Sequence, residues 1–145
     1  MSDFISIDTQ GLKKLQKKLD RLGKELPRDV KGALFKSGKR VETSAKRLIS
    51  TGSRSGRLYK RGGVTRQRSA RGEPPKTDSG FLVNSINTEL KRDDRVVVGS
   101  PLEYAAKLEN KLDRKFLEPS LQTNAEGINK LIADAVDEAI NDANL

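Results

Sequence analysis

A strongly basic stretch between residues 54 and 71 carries the side chains best suited to chemistry in this 145-residue chain. Guanidinium and ammonium groups bind phosphate or carboxylate oxygens, and a tyrosine among them can stack on a base. The candidate interaction residues are Arg54, Arg57, Tyr59, Lys60, Arg61, Arg66, Arg68 and Arg71. This pattern fits docking onto an acidic protein surface, contact with a nucleic-acid backbone, or a solvated mobile loop.

The remaining residue types do not favour catalysis. The chain contains no histidine and no cysteine, which excludes imidazole-dependent triads, thiolate nucleophiles and the usual zinc ligands. No serine is followed three residues later by a lysine, the spacing of a serine–lysine dyad. We therefore expect no enzymatic activity, no catalytic residue, no cofactor and no metal.

Charge is distributed unevenly along the chain. Residues 1–50 carry 13 Lys or Arg against 6 Asp or Glu, residues 51–76 carry 8 against 1, and residues 77–145 carry 8 against 13. The three balances are therefore +7, +7 and −5. A molecule with a basic and an acidic end can attract a second copy of itself, or bridge two partners of opposite charge. No apolar run approaches the length of a membrane span, so we expect no membrane partner.

Apolar periodicity predicts two amphipathic helices near the N-terminus. A short strand over residues 4–7 precedes the first helix, which begins near Gly11. Its apolar stripe consists of Leu12, Leu15, Leu19, Leu22 and Leu26. Pro27 is expected in the first turn of a second helix, which continues to about Ser50.

Residues 51–76 are expected to form a long flexible loop. Five glycines interrupt the periodicity, and Pro74 and Pro75 end the loop stiffly. The sequence therefore predicts a single domain, residues 1–145, with this basic loop inserted between a helical N-terminal part and a C-terminal part.

The C-terminal part is predicted to contain a β-hairpin and a final helix. Residues 86–90 and 96–98 form the two strands, with Asp93 and Asp94 in the turn. A short helix at residues 104–108 follows. The final helix has a broad apolar face flanked by acidic residues, namely Asp134, Asp137, Glu138 and Asp142.

Three segments occur in an order and spacing that point to a known family: GEPPKTDSGFLVNSI (72–86), VGSPLEYAAKLEN (98–110) and RKFLEPSL (114–121). Together they resemble the neck, or head-tail joining, proteins of long-tailed bacteriophages, also described as minor tail components. The matching positions are Gly72, Pro74, Pro75, Ser79, Gly80, Tyr104, Leu108, Glu109, Arg114, Phe116, Leu117 and Pro119. Lys115 and the pair Asn110-Lys111 depart from the family pattern, so we expect a differently shaped loop over residues 109–114.

The resemblance implies an α+β fold, in which two N-terminal amphipathic helices and a C-terminal helix pack on a small antiparallel sheet. It also implies a structural virion protein at the phage neck, assembled in the host cytoplasm. There it would form a ring of roughly six to twelve copies that joins the head connector to the tail. Its partners would be further copies of itself, connector or head-closure proteins and tail proteins, with packaged DNA as an additional contact.

A second class of function stays open at this point. A small cytoplasmic nucleic-acid-binding protein could use the basic loop as an electrostatic anchor. Such a protein should bind free DNA or RNA with a steep salt dependence, whereas a neck protein should recognise particle components.

Overall fold

A computed structural model describes residues 5–7, 10–21, 26–51, 54–76, 80–92 and 94–143. Within these residues the helices are α1 (Gln10–Arg21), α2 (Arg28–Ser50), α3 (Phe81–Ser85), α4 (Glu103–Asn110) and α5 (Leu117–Ala143). The strands are β1 (Ile5–Ile7), β2 (Leu58–Arg61), β3 (Val64–Gln67), β4 (Asn87–Leu90) and β5 (Val96–Gly99). The α+β class expected from the sequence is confirmed.

The larger sheet has three antiparallel strands in the order β1-β5-β4. Val98 at its centre lies opposite Ile5 on one side and Thr88 on the other. All three valines of β5 are fully buried, as the uniform apolar run predicts for a central strand. The predicted β4–β5 hairpin is confirmed. Its turn residue Asp94 has a left-handed φ of 55°, while Asp93 lies outside the described residues.

Helix α2 lies between this sheet and α5, and it provides much of the core. Val30, Leu34 and Val41 are fully buried and belong to one core cluster with apolar residues of the sheet and of α5. Gly38 allows α2 to approach the sheet closely, because a Cβ there would lie 2.5 Å from Thr88 Cγ2 and 2.7 Å from Val96 Cγ2. The long helix, the short helix at residues 104–108 and the final helix are confirmed.

The boundary between the first two helices differs from the prediction. Pro27 was expected inside the second helix, but its ψ of 146° is extended, so it occupies the N-cap position and α2 begins at Arg28. Leu26 was assigned to the first stripe. It lies instead outside α1, although it is buried like Leu19. Leu22 lies outside the described residues. The one-turn helix α3 was not predicted.

The segment 51–76 differs most from expectation, because β2 and β3 form an antiparallel two-stranded hairpin within it. The prediction of a loop without regular structure is therefore wrong for residues 58–67. Gly62 and Gly63 have φ values of 59° and 79°, and positive φ at both central residues is what a two-residue type I′ hairpin turn requires. The flexibility of the segment stays a prediction.

Candidate interaction surface

The β2–β3 hairpin presents most of the predicted interaction residues on two largely exposed strands. Tyr59 lies directly opposite Arg66, and Arg61 lies opposite Val64. Residues opposite each other in an antiparallel pair share a face, so these four side chains form one face of the hairpin. The opposite face carries Leu58, Lys60, Thr65 and Gln67.

Backbone contacts continue below the strands and close the base of the hairpin. The Gly56 N–H donates to the Arg68 carbonyl at 2.8 Å, and the Arg68 N–H donates to the Arg57 carbonyl at 3.0 Å. A Cβ at Gly56 would lie 2.6 Å from the carbonyl oxygens of Arg68 and Ser69. Glycine is therefore required at this position because the two chain segments approach too closely for a side chain.

Arg54 is buried and anchors the segment to the rest of the protein. Its Nη2 donates to the Leu48 carbonyl at 2.5 Å, near the end of α2, and to the Pro75 carbonyl at 3.3 Å. A guanidinium at a helix C-terminus also interacts favourably with the helix dipole. The structure thus separates Arg54 from the other candidate cations, which are exposed.

Glu73 links the chain before the hairpin to the chain after it through hydrogen bonds. Its carboxylate accepts hydrogen bonds from the Ser55 hydroxyl, from the Ser55 N–H at 3.1 Å and from the Ala70 N–H at 3.0 Å. The Ser55 hydroxyl, followed by the Ala70 N–H, lowers the pKa of Glu73 from 4.5 to about 2. The carboxylate is therefore ionised at neutral pH and holds the base of the hairpin through three donors.

The far end of the segment is joined to the turn between α4 and α5. Arg114 Nε donates to the Ser69 carbonyl at 3.2 Å, and the Gly72 N–H donates to the Asp113 carbonyl at 2.7 Å. Arg71 forms an exposed ion pair with Asp113 at 3.7 Å. Two of the family-motif positions, Gly72 and Arg114, therefore fix the hairpin relative to the helical part of the protein.

A groove of about 540 Å³ lies between the hairpin and the α4–α5 region. It is lined by Tyr59, Lys60, Arg61, Arg68, Ser69, Pro75, Lys76, Tyr104, Leu112 and Arg114. The lining contains five cationic side chains, two tyrosines and no carboxylate. Arg68 stacks on the Tyr59 ring, with its Cζ 4.9 Å from the ring centroid. This groove can accept an anionic, partly planar or apolar partner.

The structure brings together only some of the predicted cations in this groove. Arg57 is exposed outside it, and Arg66 lines a smaller hollow on the hairpin with Lys76. Lys76 and Leu112 were not predicted as interaction residues. Leu112 is distant from the hairpin strands in sequence, whereas Lys76 follows them in the same segment, and no local pattern marks either one as a groove residue. Tyr104 and Arg114 were known only as motif positions.

Another motif position, Glu109, is a buried helix cap. Its Oε2 accepts hydrogen bonds from the Phe116 N–H at 2.8 Å and the Leu117 N–H at 3.2 Å, and its Oε1 accepts from the Glu118 N–H at 2.8 Å. These donors belong to the start of α5, where backbone N–H groups lack helical partners. Glu109 therefore fixes where α5 begins, and a negative charge there is favourable to the helix dipole.

The other motif residues serve packing and chain direction. Leu108, Phe116 and Leu117 are buried in the core, and Pro75 is buried beside Arg54. Gly80 precedes α3 with a φ of 83°. Pro74 and Pro119 are half-buried, Tyr104 is exposed, and Ser79 lies outside the described residues.

Among the described residues, one acidic group has oxygens close enough together to be considered for a metal. Asp29, Glu138 and Asp142 have carboxylate oxygens within 4.8 Å of one another, and all three side chains are exposed. Exposed carboxylates often lie this close without a metal, so we assign none to them. None of the described helices is both long enough and apolar enough to cross a bilayer.

Comparison with known proteins gives a family match. The profile of the HK97-gp10-like family, described as "Bacteriophage HK97-gp10, putative tail-component", matches residues 13–110. No curated protein and no solved structure shows significant similarity to the chain. The matched range extends from α1 to the end of α4 and includes the basic hairpin, most of the motif positions and the three-stranded sheet's β4–β5 hairpin. The chain therefore belongs to the HK97-gp10-like family of phage tail components.

Proposed function

We propose that this protein is a non-enzymatic structural component of the phage neck. In this proposal it forms a ring of roughly six to twelve copies between the head connector and the tail. Family membership supports a phage structural role and a place in the virion. The joining role is our inference from the hairpin and its surroundings.

The observation that carries the proposal is the exposed hairpin on a firmly held base. Leu58 and Val64 are 63% and 53% exposed on opposite faces of the hairpin, where Leu58 shares its face with Lys60 and Val64 shares its face with Arg61 and Arg66. Apolar side chains exposed among charged ones are typical of surfaces that a partner protein covers. Hydrogen bonds of Arg54, Glu73 and Arg114 attach the base of the hairpin to the rest of the protein, which supports a defined direction for the exposed strands.

During assembly, the exposed hairpin would contact a neighbouring protein. In a ring, the hairpin of one copy reaches the neighbouring copy or the adjoining connector or tail protein. The tip adopts its final conformation at that contact, so assembly proceeds in order and premature polymerisation is limited.

Complementation of a phage that lacks the protein tests the proposal. A triple variant, Lys60→Gln with Arg61→Gln and Arg66→Gln, removes three cations from the exposed strands while keeping their length. We expect full heads and free tails to accumulate, counted by electron microscopy, with at least about a tenfold loss of infectious particles. Labelled wild-type protein should locate at the joint in intact particles.

A matched control removes the same charge elsewhere. Lys14, Lys17 and Lys18 are exposed on α1, and their triple replacement by Gln should leave joining unchanged. Normal joining by the hairpin variant, or wild-type protein absent from particles, would refute the proposal.

Nucleic-acid binding is the second candidate, favoured by the carboxylate-free groove with its two tyrosines. In a neck ring this groove would contact packaged DNA. We rank it second because five cations per copy, repeated around a ring, would hold phosphates tightly and slow the passage of DNA.

The salt dependence of binding distinguishes the two candidates. If all five groove cations engaged duplex phosphates, the logarithm of the binding constant would fall with log salt at a slope of about −4.5. Fluorescence anisotropy with a short DNA duplex measures this slope. Weak binding with a shallow slope, together with recognition of particle components, favours the neck role.

A further inference from the structure

The outer face formed by α2 and α5 is separate from the hairpin surface and has its own charge pattern. The two helices run side by side in opposite directions. Ser44, late in α2, accepts a hydrogen bond from Asn124, early in α5, whereas Asp29 at the start of α2 lies near Glu138 towards the end of α5. Two hollows of about 840 and 530 Å³ follow the line between the helices, and both are lined by Lys36 and Leu131. They form one continuous surface, which we call the α2–α5 face.

One half of the α2–α5 face is cationic. Its hollow is lined by Lys36, Lys39, Arg40, Arg47, Thr43, Ser44, Asn124 and Leu131, with no carboxylate among them. Lys39 is paired with Glu42 at 3.2 Å, at the edge of this hollow. Arg40 and Arg47 are exposed, two helical turns apart, on the same side of α2.

The other half carries a cluster of carboxylates. Asp29, Asp134 and Glu138 line its hollow, and the oxygens of Asp29, Glu138 and Asp142 lie within 4.8 Å of one another. Carboxylates this close repel each other unless a cation approaches them. Three cations, Arg28, Lys31 and Lys36, also line this hollow. Lys31 is directed to Asp94 at 3.5 Å, and Lys36 is shared with the cationic hollow.

The hollow of the acidic half also has an apolar, open part, which reaches the cationic hollow at Leu131. Phe35 and Leu90 are 38% and 40% exposed, and Leu131 is half-buried beside them. Nothing lies within 4 Å of a Cβ built on Gly32, so this part of the surface is open to an approaching chain. An apolar centre with charged ends is the usual composition of a protein–protein interface.

We infer that a second copy of this chain docks on the α2–α5 face through a two-fold axis. Such an axis places the cationic half of each copy on the acidic half of the other, so the same charge contact forms twice. A head-to-tail ring contact would need the two charged patches on opposite sides of the molecule. Here they lie on one face, which favours the two-fold arrangement.

The size of the face is sufficient for a weak dimer. Asp29 and Arg47 are separated by roughly 27 Å along α2, and two helices side by side are roughly 20 Å wide. The dimer would bury about 1,000 Å² in total, at the lower end of specific interfaces. This inference does not rest on the neck assignment, because the dimer is a property of the purified protein.

Variants with reversed charges on the α2–α5 face test the dimer, and the molecular mass in solution is the measurement. Wild-type protein at low salt and at concentrations up to about 0.5 mM should reach twice the 16.0 kDa chain mass in sedimentation equilibrium. The variant R40E/R47E, and separately E138K/D142K, should each self-associate at least about tenfold more weakly. Mixed in equal amounts, the two variants should form a dimer again, since every contact then joins opposite charges.

A control variant with the same charge change on α1 shows whether an effect is specific to the α2–α5 face. K14E/K17E changes the charge equally on exposed positions of α1 and should dimerise like the wild type. Circular dichroism establishes that each variant is folded. A monomeric wild type, a mixture that stays monomeric, or a mixture that grows beyond the dimer overturns the inference. Loss of DNA binding by R40E/R47E with a monomeric wild type assigns the cationic half to nucleic acid instead.

Discussion

The helical core and the basic hairpin are held in place by different forces. In the core, α2 carries fully buried side chains such as Val30, Leu34 and Val41 between the sheet and α5. In the hairpin, Leu58 and Val64 remain more than half exposed, and position depends on polar contacts at the base. Burial of apolar area is insensitive to pH, whereas contacts to a carboxylate depend on its ionisation. The two regions should therefore respond differently to mutation and to acid.

The largest effect is expected from a truncation in the core. Phe116 is fully buried at the start of α5, and Phe116→Ala should lower the free energy of unfolding by about 3–5 kcal/mol through lost burial and a cavity. The hairpin counterpart, Leu58→Ala, should change it by no more than about 0.5 kcal/mol. Urea denaturation followed by circular dichroism measures both. Equal losses would show that the hairpin is part of the cooperative core.

Two glycines on α2 test how closely this helix packs against the sheet. Gly38→Ala places a methyl group against Thr88 and Val96, and we expect a loss of about 1–3 kcal/mol in the free energy of unfolding. Gly32 is on the same helix with open space around it, so Gly32→Ala should instead stabilise by up to about 1 kcal/mol. Thermal denaturation of the pair gives the comparison. A stabilising Gly38→Ala would mean that the sheet can move away from α2.

Glu109 is a family-motif position that caps α5, so its replacement should destabilise the protein. Glu109→Gln leaves one acceptor oxygen where two now serve three backbone donors, so we expect a loss of about 1–3 kcal/mol. Glu126→Gln, an exposed change in the middle of α5, is the control and should be nearly neutral. Denaturant midpoints at neutral pH measure the difference, and an unchanged midpoint for Glu109→Gln would contradict the capping role.

The smallest effect is expected from acid, and it should be confined to the hairpin base. Because the pKa of Glu73 is about 2 in the folded protein against an ordinary 4.5, its stabilising contribution is present above pH 4.5. It is lost as the pH falls from 4.5 through 2. The amide resonances of Ser55 and Ala70 should shift over this range in NMR spectra, and Glu73→Gln should abolish the shift. Glu126→Gln, an exposed change on α5, serves as control.

Apolar periodicity and turn residues were sufficient to predict much of the fold. The helical repeats of α2 and α5 and the alternation in β4 were visible because burial imposes a period on local sequence. The β2–β3 hairpin was missed because its strands are rich in exposed cations. Gly62-Gly63 was interpreted as a source of flexibility, although two glycines between short strands are also a type I′ turn signal.

The interaction surface was only partly predictable. Tyr59, Lys60, Arg61 and Arg68 were proposed from their charge and position, and all four line the groove. Arg54 belongs to the same basic run, but it is buried against Leu48 and Pro75. No local pattern distinguishes a buried arginine from an exposed one when the acceptors are backbone carbonyls far along the chain.

The sequence by itself determined the four longer helices, the β4–β5 hairpin, the excess of positive charge and the family motifs, because these depend on neighbouring residues and their order. Only the tertiary structure decided what those residues contact. It brought Glu109 to the first N–H groups of α5, Glu73 to Ser55 and Ala70, and the acidic and basic halves of α2 and α5 onto one face. Such contacts depend on how distant segments pack, and the free energy of that packing comes from the whole core rather than from any local stretch.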